Sequence, residues 1–437
     1  MSAVSTISSR LRKSQIAVNT AYGFLSLGWT SLLSIISVPI YISILGHEEW
    51  GVVAACLSLQ LLANFADSGF SQIVPRWIAK ESKSAEMVSE YMKLFRGLYF
   101  LIALILLVSI QLLSGAMATS WFNVPIERVA ELEFCLRVVS VQLFFQFLNN
   151  LNVGYWNGTQ NQARIFFHTC SFVTLKHAVT ILLLYFWGGS ALGYVIGFCI
   201  VACLELLFNT YSVGQGFLWG GSFIRRVRDY TFFLKEVSSL SGGIMIGLLV
   251  SQLDRIVLSK VLPAEQFGVY VVVLTLSQAF LQLQSPVNRA FFPVLVKGVS
   301  ERNTMFWRSF GRFVVGVMLT ATVPILIAIL FAGWILNAWL GNKFFVENGT
   351  FALQLLLLGV AINTLYGCIY QLMVASGRSS LVLKFNLASL VVLAIVVLSS
   401  WEGLVISSGG YMWVLWNSVL LLLGLGWLIL SGRKIVG

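Results

Sequence analysis

The sequence predicts an all-α polytopic membrane protein, with about twelve transmembrane helices arranged as two six-helix lobes around a central cavity. Three observations predict it. The first is composition: 58% of the 437 residues are apolar and 10% are charged, against roughly 25% charged in soluble domains, and mean hydropathy is +0.87. So few charges cannot solvate a globule of 48.4 kDa, which excludes a soluble enzyme or binding module. The second is a regular succession of apolar windows of the roughly 20 residues needed to cross a bilayer. The third is an internal repeat that divides those windows six and six.

In chain order the windows lie at 22–45, 50–75, 94–116, 129–153, 164–187, 190–212, 236–260, 267–295, 311–334, 351–375, 382–401 and 411–431. Arg10, Arg12 and Lys13 precede the first, which is too long for a signal-peptide core and has no A-x-A cleavage signal; it is expected to be retained. The second carries Gln60, Asn64, Asp67 and Ser71 on one helical face. The fourth contains Glu133 and Arg137 at i, i+4, the favourable order for an intrahelical pair, and farther on Gln142, Gln146 and Asn149 on a different face. Lys176 stands about twelve residues into the fifth, near 18 Å deep at about 1.5 Å per residue, with His168 and Thr180 on roughly its face. Such a lysine requires water, an anion or a carboxylate; the readings are a substrate-binding cation or a buried pair with Glu205 of the sixth span. Asp254 and Arg255 close the seventh as an interfacial pair or an outer gate. The eighth carries Gln278, Gln282, Ser285 and Arg289 at i, i+4, i+7 and i+11, a stripe that lines the cavity or hydrogen-bonds the lobes together. Pro39, Pro286 and Pro324 interrupt apolar runs and suit helices that bend.

Charge sets the orientation. With the amino terminus in the cytoplasm, 21 of the 28 Lys and Arg fall on the cytoplasmic side, and only Arg128, Lys260 and Lys343 on the other. Because cations are retained in the cytoplasm during insertion, both termini are expected there. The net charge of +11 therefore reads as a topology signal, not as a nucleic-acid interface. The six cysteines, Cys56, Cys135, Cys170, Cys199, Cys203 and Cys368, fall in apolar runs without CxxC spacing and are expected as buried thiols; no metal or cofactor is expected. Sequons at Asn157 and Asn348 carry no weight, since the first lies on the cytoplasmic side.

The repeat is legible residue by residue. The segment from Leu45 overlays that from Leu262, with Trp50 and Gly51 on Phe267 and Gly268, and Leu57 on Leu274. Farther on, Pro75 falls on Pro293, Trp121 on Trp339 and Gly158 on Gly377. Copies separated by six spans share one membrane orientation, and such parallel repeats place substrate at their interface. The expected lobes are residues 1–218 and 219–437, joined by the basic connection from about Ser212 to Lys235, the longest loop.

The stretches IYISILGHEEWGVVAACLSLQLLANFADSGFSQIVPRWIAK, SQLDRIVLSKVLPAEQFGVYVVVLTLSQAFLQLQSPVNRAFFPVL and ASGRSSLVLKFNLAS resemble the bacterial O-antigen flippases of the multidrug, oligosaccharidyl-lipid and polysaccharide exporter superfamily. The resemblance spans essentially the whole chain. It implies an inner-membrane protein, not an enzyme, that moves an undecaprenyl-pyrophosphate-linked oligosaccharide from the cytoplasmic to the periplasmic leaflet by alternating access. H+ or Na+ is the coupling ion it would use, and polysaccharide polymerase and chain-length proteins are the partners it would meet. On that reading Lys176, Arg289, Arg137 and Arg255 meet the pyrophosphate, Gln278, Gln282, Gln60 and Asn64 meet sugar hydroxyls, and Asp67, Asp254 and Glu205 serve ion coupling or gating. Tyr155 and Trp156 could stack on sugars or anchor the interface.

Two other classes fit the sequence less well. A drug and cation exporter would carry a carboxylate in an early span, but the first has none, and Asp67 is the only acid in the first two. A membrane glycosyltransferase or polymerase could use His47, Glu48 and Glu49 as an acid cluster, but the repeat mates Ala264, Glu265 and Gln266 mark a structural turn.

Overall fold

The computed structural model describes residues 2–60, 65, 67, 70–80, 84–214, 246–300 and 306–431. Asn64, the expected lobe boundary at 218 and most of the basic connection between Ser212 and Lys235 lie outside the described residues. The chain forms two compact units, Met1–Met245 and Ile246–Gly437.

Unit 1 contains α1 (Ser2–Ser58), α2 (Phe70–Lys80), α3 (Ala85–Ala116), α4 (Val129–Gly158), α5 (Gln162–Phe186) and α6 (Ala191–Val213). Unit 2 contains α7 (residues 246–261), α8 (Ala264–Leu281), α9 (Ser285–Ser300), α10 (Phe306–Val317), α11 (Val323–Leu330), α12 (Ala332–Leu340), α13 (Lys343–Ala375), α14 (Ser379–Ser399) and α15 (Ser408–Ser431). Nine helical stretches among the described residues are long and apolar enough to cross a membrane. Of the twelve windows, 50–75 and 236–260 fall partly outside the described residues. The window 129–153 lies in α4, whose 30 residues make about 45 Å of helix. That is long enough to cross a bilayer.

Local chemistry sets the helix ends. Ser84, Asn161, Ser190 and Asn342 each accept a backbone N–H from the first turn of α3, α5, α6 and α13. The chain turns between the first two windows at Gly46, whose φ of 74° falls in the left-handed region. Two of the three prolines noted from sequence occupy the second residue of a helix, Pro286 in α9 after a 3-10 turn and Pro324 in α11 after a π turn. In each case a change of helical register just before the proline accommodates its missing N–H. Pro39 lies inside α1.

The repeat appears in the element order. α5 and α14 begin at Gln162 and Ser379, and α6 and α15 at Ala191 and Ser408, in both cases 217 residues apart. In unit 1, α4 packs against α2, α3 and α6, while α1 lies against α5. The α2–α3–α4 core holds Ile73, Ile78, Met92, Phe95, Tyr99, Phe147 and Trp156. In unit 2, α13 is central, touching α8, α11, α12 and α15. Small residues permit the closest crossings: an added Cβ at Gly197 of α6 would stand 2.5 Å from Thr180 Oγ1 of α5, and one at Gly359 of α13 would stand 2.8 Å from Trp413 Cβ of α15.

Candidate functional site

Unit 1 gathers polar side chains from three helices at mid-span. Lys176 of α5 is half-buried, and its Nζ stands 4.8 Å from the ring centroid of Phe198 on α6, a cation–π arrangement. Glu205, seven residues farther along α6 and so on the same face, is the acid whose charge acts on Lys176. It does not form a close ion pair with the lysine. Its Oε1 accepts from Asn149 Nδ2 of α4 at 3.1 Å. Asn149 Oδ1 in turn accepts from Asn209 Nδ2 at 2.9 Å and Asn152 Nδ2 at 3.4 Å, and Asn209 Oδ1 meets His168 Nδ1 at 2.7 Å. Glu205 is thus held by the Asn149 amide, and the ammonium keeps the capacity to take another anion.

The other expected residues of unit 1 stand apart from this cluster. Arg137 is already engaged: NH2 reaches Glu133 at 2.5 Å and Nε donates to Ser114 Oγ of α3 at 3.1 Å, so the intrahelical pair foreseen from spacing forms. Asp67 accepts from Tyr99 Oη at 3.1 Å and is hydrogen-bonded by Asn150. Gln60 is half-buried. Gln142 and Asn149 are buried, so much of the stripe on α4 serves the interior of the unit. Trp156 is also buried, 4.6 Å from the His168 ring, which leaves its face no room for a sugar.

The two acids that follow Gly46 are both ion-paired. Arg128 bonds Glu49 at 2.6 Å and Glu48 at 3.0 Å, and Glu49 Oε2 also accepts the backbone N–H of Ala191 at 2.7 Å, capping α6.

In unit 2, Asp254 of α7 is 3% exposed and accepts from Tyr270 Oη of α8 and from Trp413 Nε1 of α15, the latter at 3.1 Å. From Trp413 a chain of amides continues: its carbonyl accepts from Asn417, whose Oδ1 accepts from Asn363, whose Oδ1 accepts from Gln284. Sequence reasoning missed Asn363, Asn417 and Gln284. Single asparagines within long apolar windows were the available signal. Arg255 is half-buried, with Nε lacking a hydrogen-bond partner.

The stripe read along the eighth span assumed an uninterrupted α-helix, and the structure corrects this. A 3-10 turn at Gln282–Gln284 separates α8 from α9. Gln278 is half-buried, whereas Gln282 and Arg289 are exposed.

Three solved structures show what the fold is similar to. The chain matches "Lipid II flippase MurJ, inward closed conformation" with a TM-score of 0.74 at 14% identity, over 96% of this chain and 90% of that one. It matches an inward-facing multidrug resistance MATE family transporter of the MOP superfamily with a TM-score of 0.73 at 14% identity, over 94% and 98% of the two chains. An outward-facing transporter of the same description gives 0.63 at 14% identity, over 97% and 96%. No curated protein sequence matches. Residues 16–299 match the family model described as polysaccharide biosynthesis protein. The apolar helices and the shared fold make this a multi-pass membrane protein, and the match over more than half of its length places the chain in the polysaccharide biosynthesis protein family.

Proposed function

We propose that this protein is a flippase that carries an undecaprenyl-pyrophosphate-linked oligosaccharide, an O-antigen or similar polysaccharide repeat unit, from the cytoplasmic to the periplasmic leaflet of the bacterial inner membrane. The single observation that carries the reading is Lys176, a mid-span ammonium set against Phe198 while its nearest acid is held by Asn149. An ionisable group in such a place is costly to keep unless it has a task. A pyrophosphate is a fitting counter-charge, and family membership supports a glycan on the lipid.

In this mechanism Lys176 and Arg289 bind the pyrophosphate, with Arg137 and Arg255 as further cationic contacts. Gln278, Gln282, Gln60 and Asn64 meet sugar hydroxyls. Alternating access moves the head group, and Asp67, Asp254 and Glu205 couple the movement to H+ or Na+ or gate it. Transport rearranges no covalent bond, so the reading requires no catalytic residue. Polysaccharide polymerase and chain-length proteins would take up the product.

The deciding experiment is leaflet-specific detection of the lipid-linked oligosaccharide in cells lacking the protein and in cells with it restored. Accumulation on the cytoplasmic side, relieved by the intact chain, is expected. Normal translocation with altered drug sensitivity would move the protein to the exporters, and normal translocation with altered polymer length would move it to the polymerases.

A further inference from the structure

A basic stripe lies on unit 2, at the start of the span formed by α10, the π turn Met318–Thr322 and α11. The helix α10 is sharply two-sided. Phe306, Phe310, Phe313 and Val317, at i, i+4, i+7 and i+11, are buried, and the Phe313 ring stands 5.6 Å from that of Phe291 on α9. Arg308, Arg312, Val315 and Leu319 repeat that spacing two residues on, and all four are exposed, as is Trp307 beside them. Gly311, between the arginines, has nothing within 4 Å of where a Cβ would stand, so this face is open. Farther along the span Leu326 and Leu330 of α11 are exposed too.

Neither guanidinium has a hydrogen-bond or ion-pair partner among the described residues, whereas Arg128, Arg137 and Lys343 are each paired with a carboxylate. Arg308 lies in the first turn of α10, which holds no acid and where the helix dipole disfavours a cation. Nor does the pair belong to the duplicated frame. At the offset of 218 that lays Pro75 on Pro293 and Trp121 on Trp339, Arg308 and Arg312 fall on Glu90 and Leu94. The span Phe306–Leu330 has 25 residues, about 37 Å of helix against a hydrocarbon core of roughly 30 Å. Its charged end takes the excess, which sets the two arginines and Trp307 at the level of lipid head groups. The chemistry of the stripe then defines its partner. Guanidinium groups match phosphate oxygens, and the apolar turns below them match hydrocarbon. A soluble anion would satisfy the arginines and leave Val315 and Leu319 without cover. A zwitterionic lipid would bring its own cation to the same place. A phospholipid of net negative charge meets both halves of the stripe.

We infer that the face of α10 carrying Arg308, Arg312, Val315 and Leu319 is a binding site for an anionic phospholipid, with phosphate on the guanidiniums and acyl chains along the apolar turns. The inference needs only the membrane-spanning fold and stands whether or not the protein is a flippase. It makes the acidic lipid of one leaflet a ligand of unit 2 and not only its solvent.

The test uses the full-length protein, purified and delipidated in detergent, with bound lipids counted by native mass spectrometry. Cardiolipin, phosphatidylglycerol, phosphatidylethanolamine and undecaprenyl pyrophosphate are titrated in turn, with inorganic pyrophosphate as the soluble anion. Cardiolipin and phosphatidylglycerol should bind more tightly than phosphatidylethanolamine. Arg308→Gln or Arg312→Gln should weaken the first anionic lipid about fivefold, and the double variant roughly thirtyfold, with phosphatidylethanolamine unaffected. Lysine at both positions should restore most of the loss, because the charge is kept. Arg378→Gln, an equal charge change at another exposed arginine, should alter binding less than about twofold. Equal affinity for anionic and zwitterionic lipid, anionic binding that the double variant leaves intact, or an equal loss in Arg378→Gln overturns the inference. Inorganic pyrophosphate bound as tightly as the lipids overturns it in favour of a soluble-anion site. Binding confined to undecaprenyl pyrophosphate overturns it in favour of an entry point for a lipid-linked substrate.

Discussion

At the scale of single residues, Lys176 and Asp254 are both charged groups within the span but are held in opposite ways. Lys176 has an aromatic face and an acid that acts on it without a close ion pair, which leaves the ammonium open to a substrate; Asp254 is enclosed by Tyr270 and Trp413, so its role begins with the fold. Lys176→Ala should lose most complementation in a strain lacking the protein, at least tenfold, at normal membrane levels, while Lys176→Arg keeps a measurable part because the charge and the stacking on Phe198 survive. Complementation by the Ala variant equal to wild type would end the substrate-cation assignment. Asp254→Ala strands two buried donors and should cost about 2–5 kcal/mol, seen as a lower midpoint in detergent thermal unfolding. Asp254→Asn, which keeps one acceptor, should cost less. Sequence exposed Lys176 and Asp254 because a charge in an apolar window is conspicuous. It did not expose Gln284, because the 3-10 turn at Gln282–Gln284 breaks the 3.6-residue register on which a helical stripe depends.

At the scale of elements, periodicity, duplication and local caps made the helices readable, whereas a second cap on α6, beside Ser190, depended on a contact distant in sequence. The 217-residue spacing between α5 and α14 was present in the overlay of Leu45 on Leu262. The cap on α6 was not, because Glu49 is 142 residues from Ala191. Glu49 and Glu48 thus differ despite adjacency: their side chains are 19% and 57% exposed. Glu49→Gln should lower stability by about 1–3 kcal/mol through the loss of a charge-assisted cap, and Glu48→Gln by less than ~1 kcal/mol. Neither should change transport per folded molecule; loss of transport at normal membrane level would restore a catalytic role to this turn. Close helix crossings make a parallel prediction. Gly197→Ala must displace Thr180 and should cost about 1–3 kcal/mol, whereas Gly426→Ala in α15 meets nothing within 4 Å and should be neutral or slightly stabilising. Unfolding midpoints of the two variants check the contrast.

At the scale of the whole molecule, the direction of the proposed transport depends on which face of each unit meets the cytoplasm, and charge and repeat make separate demands on it. On the cation bias, the α4–α5 turn is expected inside and the turn before α4 outside. If the repeat is parallel, Arg378, between α13 and α14, is expected on the same membrane side as Thr159, between α4 and α5, and Glu347 on the same side as Glu127. All four positions are exposed, so single cysteines there should react with a membrane-impermeant maleimide according to side alone. The native cysteines are replaced in that background; Cys56, Cys135 and Cys368 are buried, while Cys170, Cys199 and Cys203 are half-buried. In intact spheroplasts, Glu127→Cys and Glu347→Cys should label at once, and Thr159→Cys and Arg378→Cys only after permeabilisation. Reversal of all four would keep the repeat and invert the direction of any flipping. Opposite behaviour of Thr159→Cys and Arg378→Cys would instead make the repeat an inverted one, and a substrate path built from equivalent helices of the two units would then have to be drawn again.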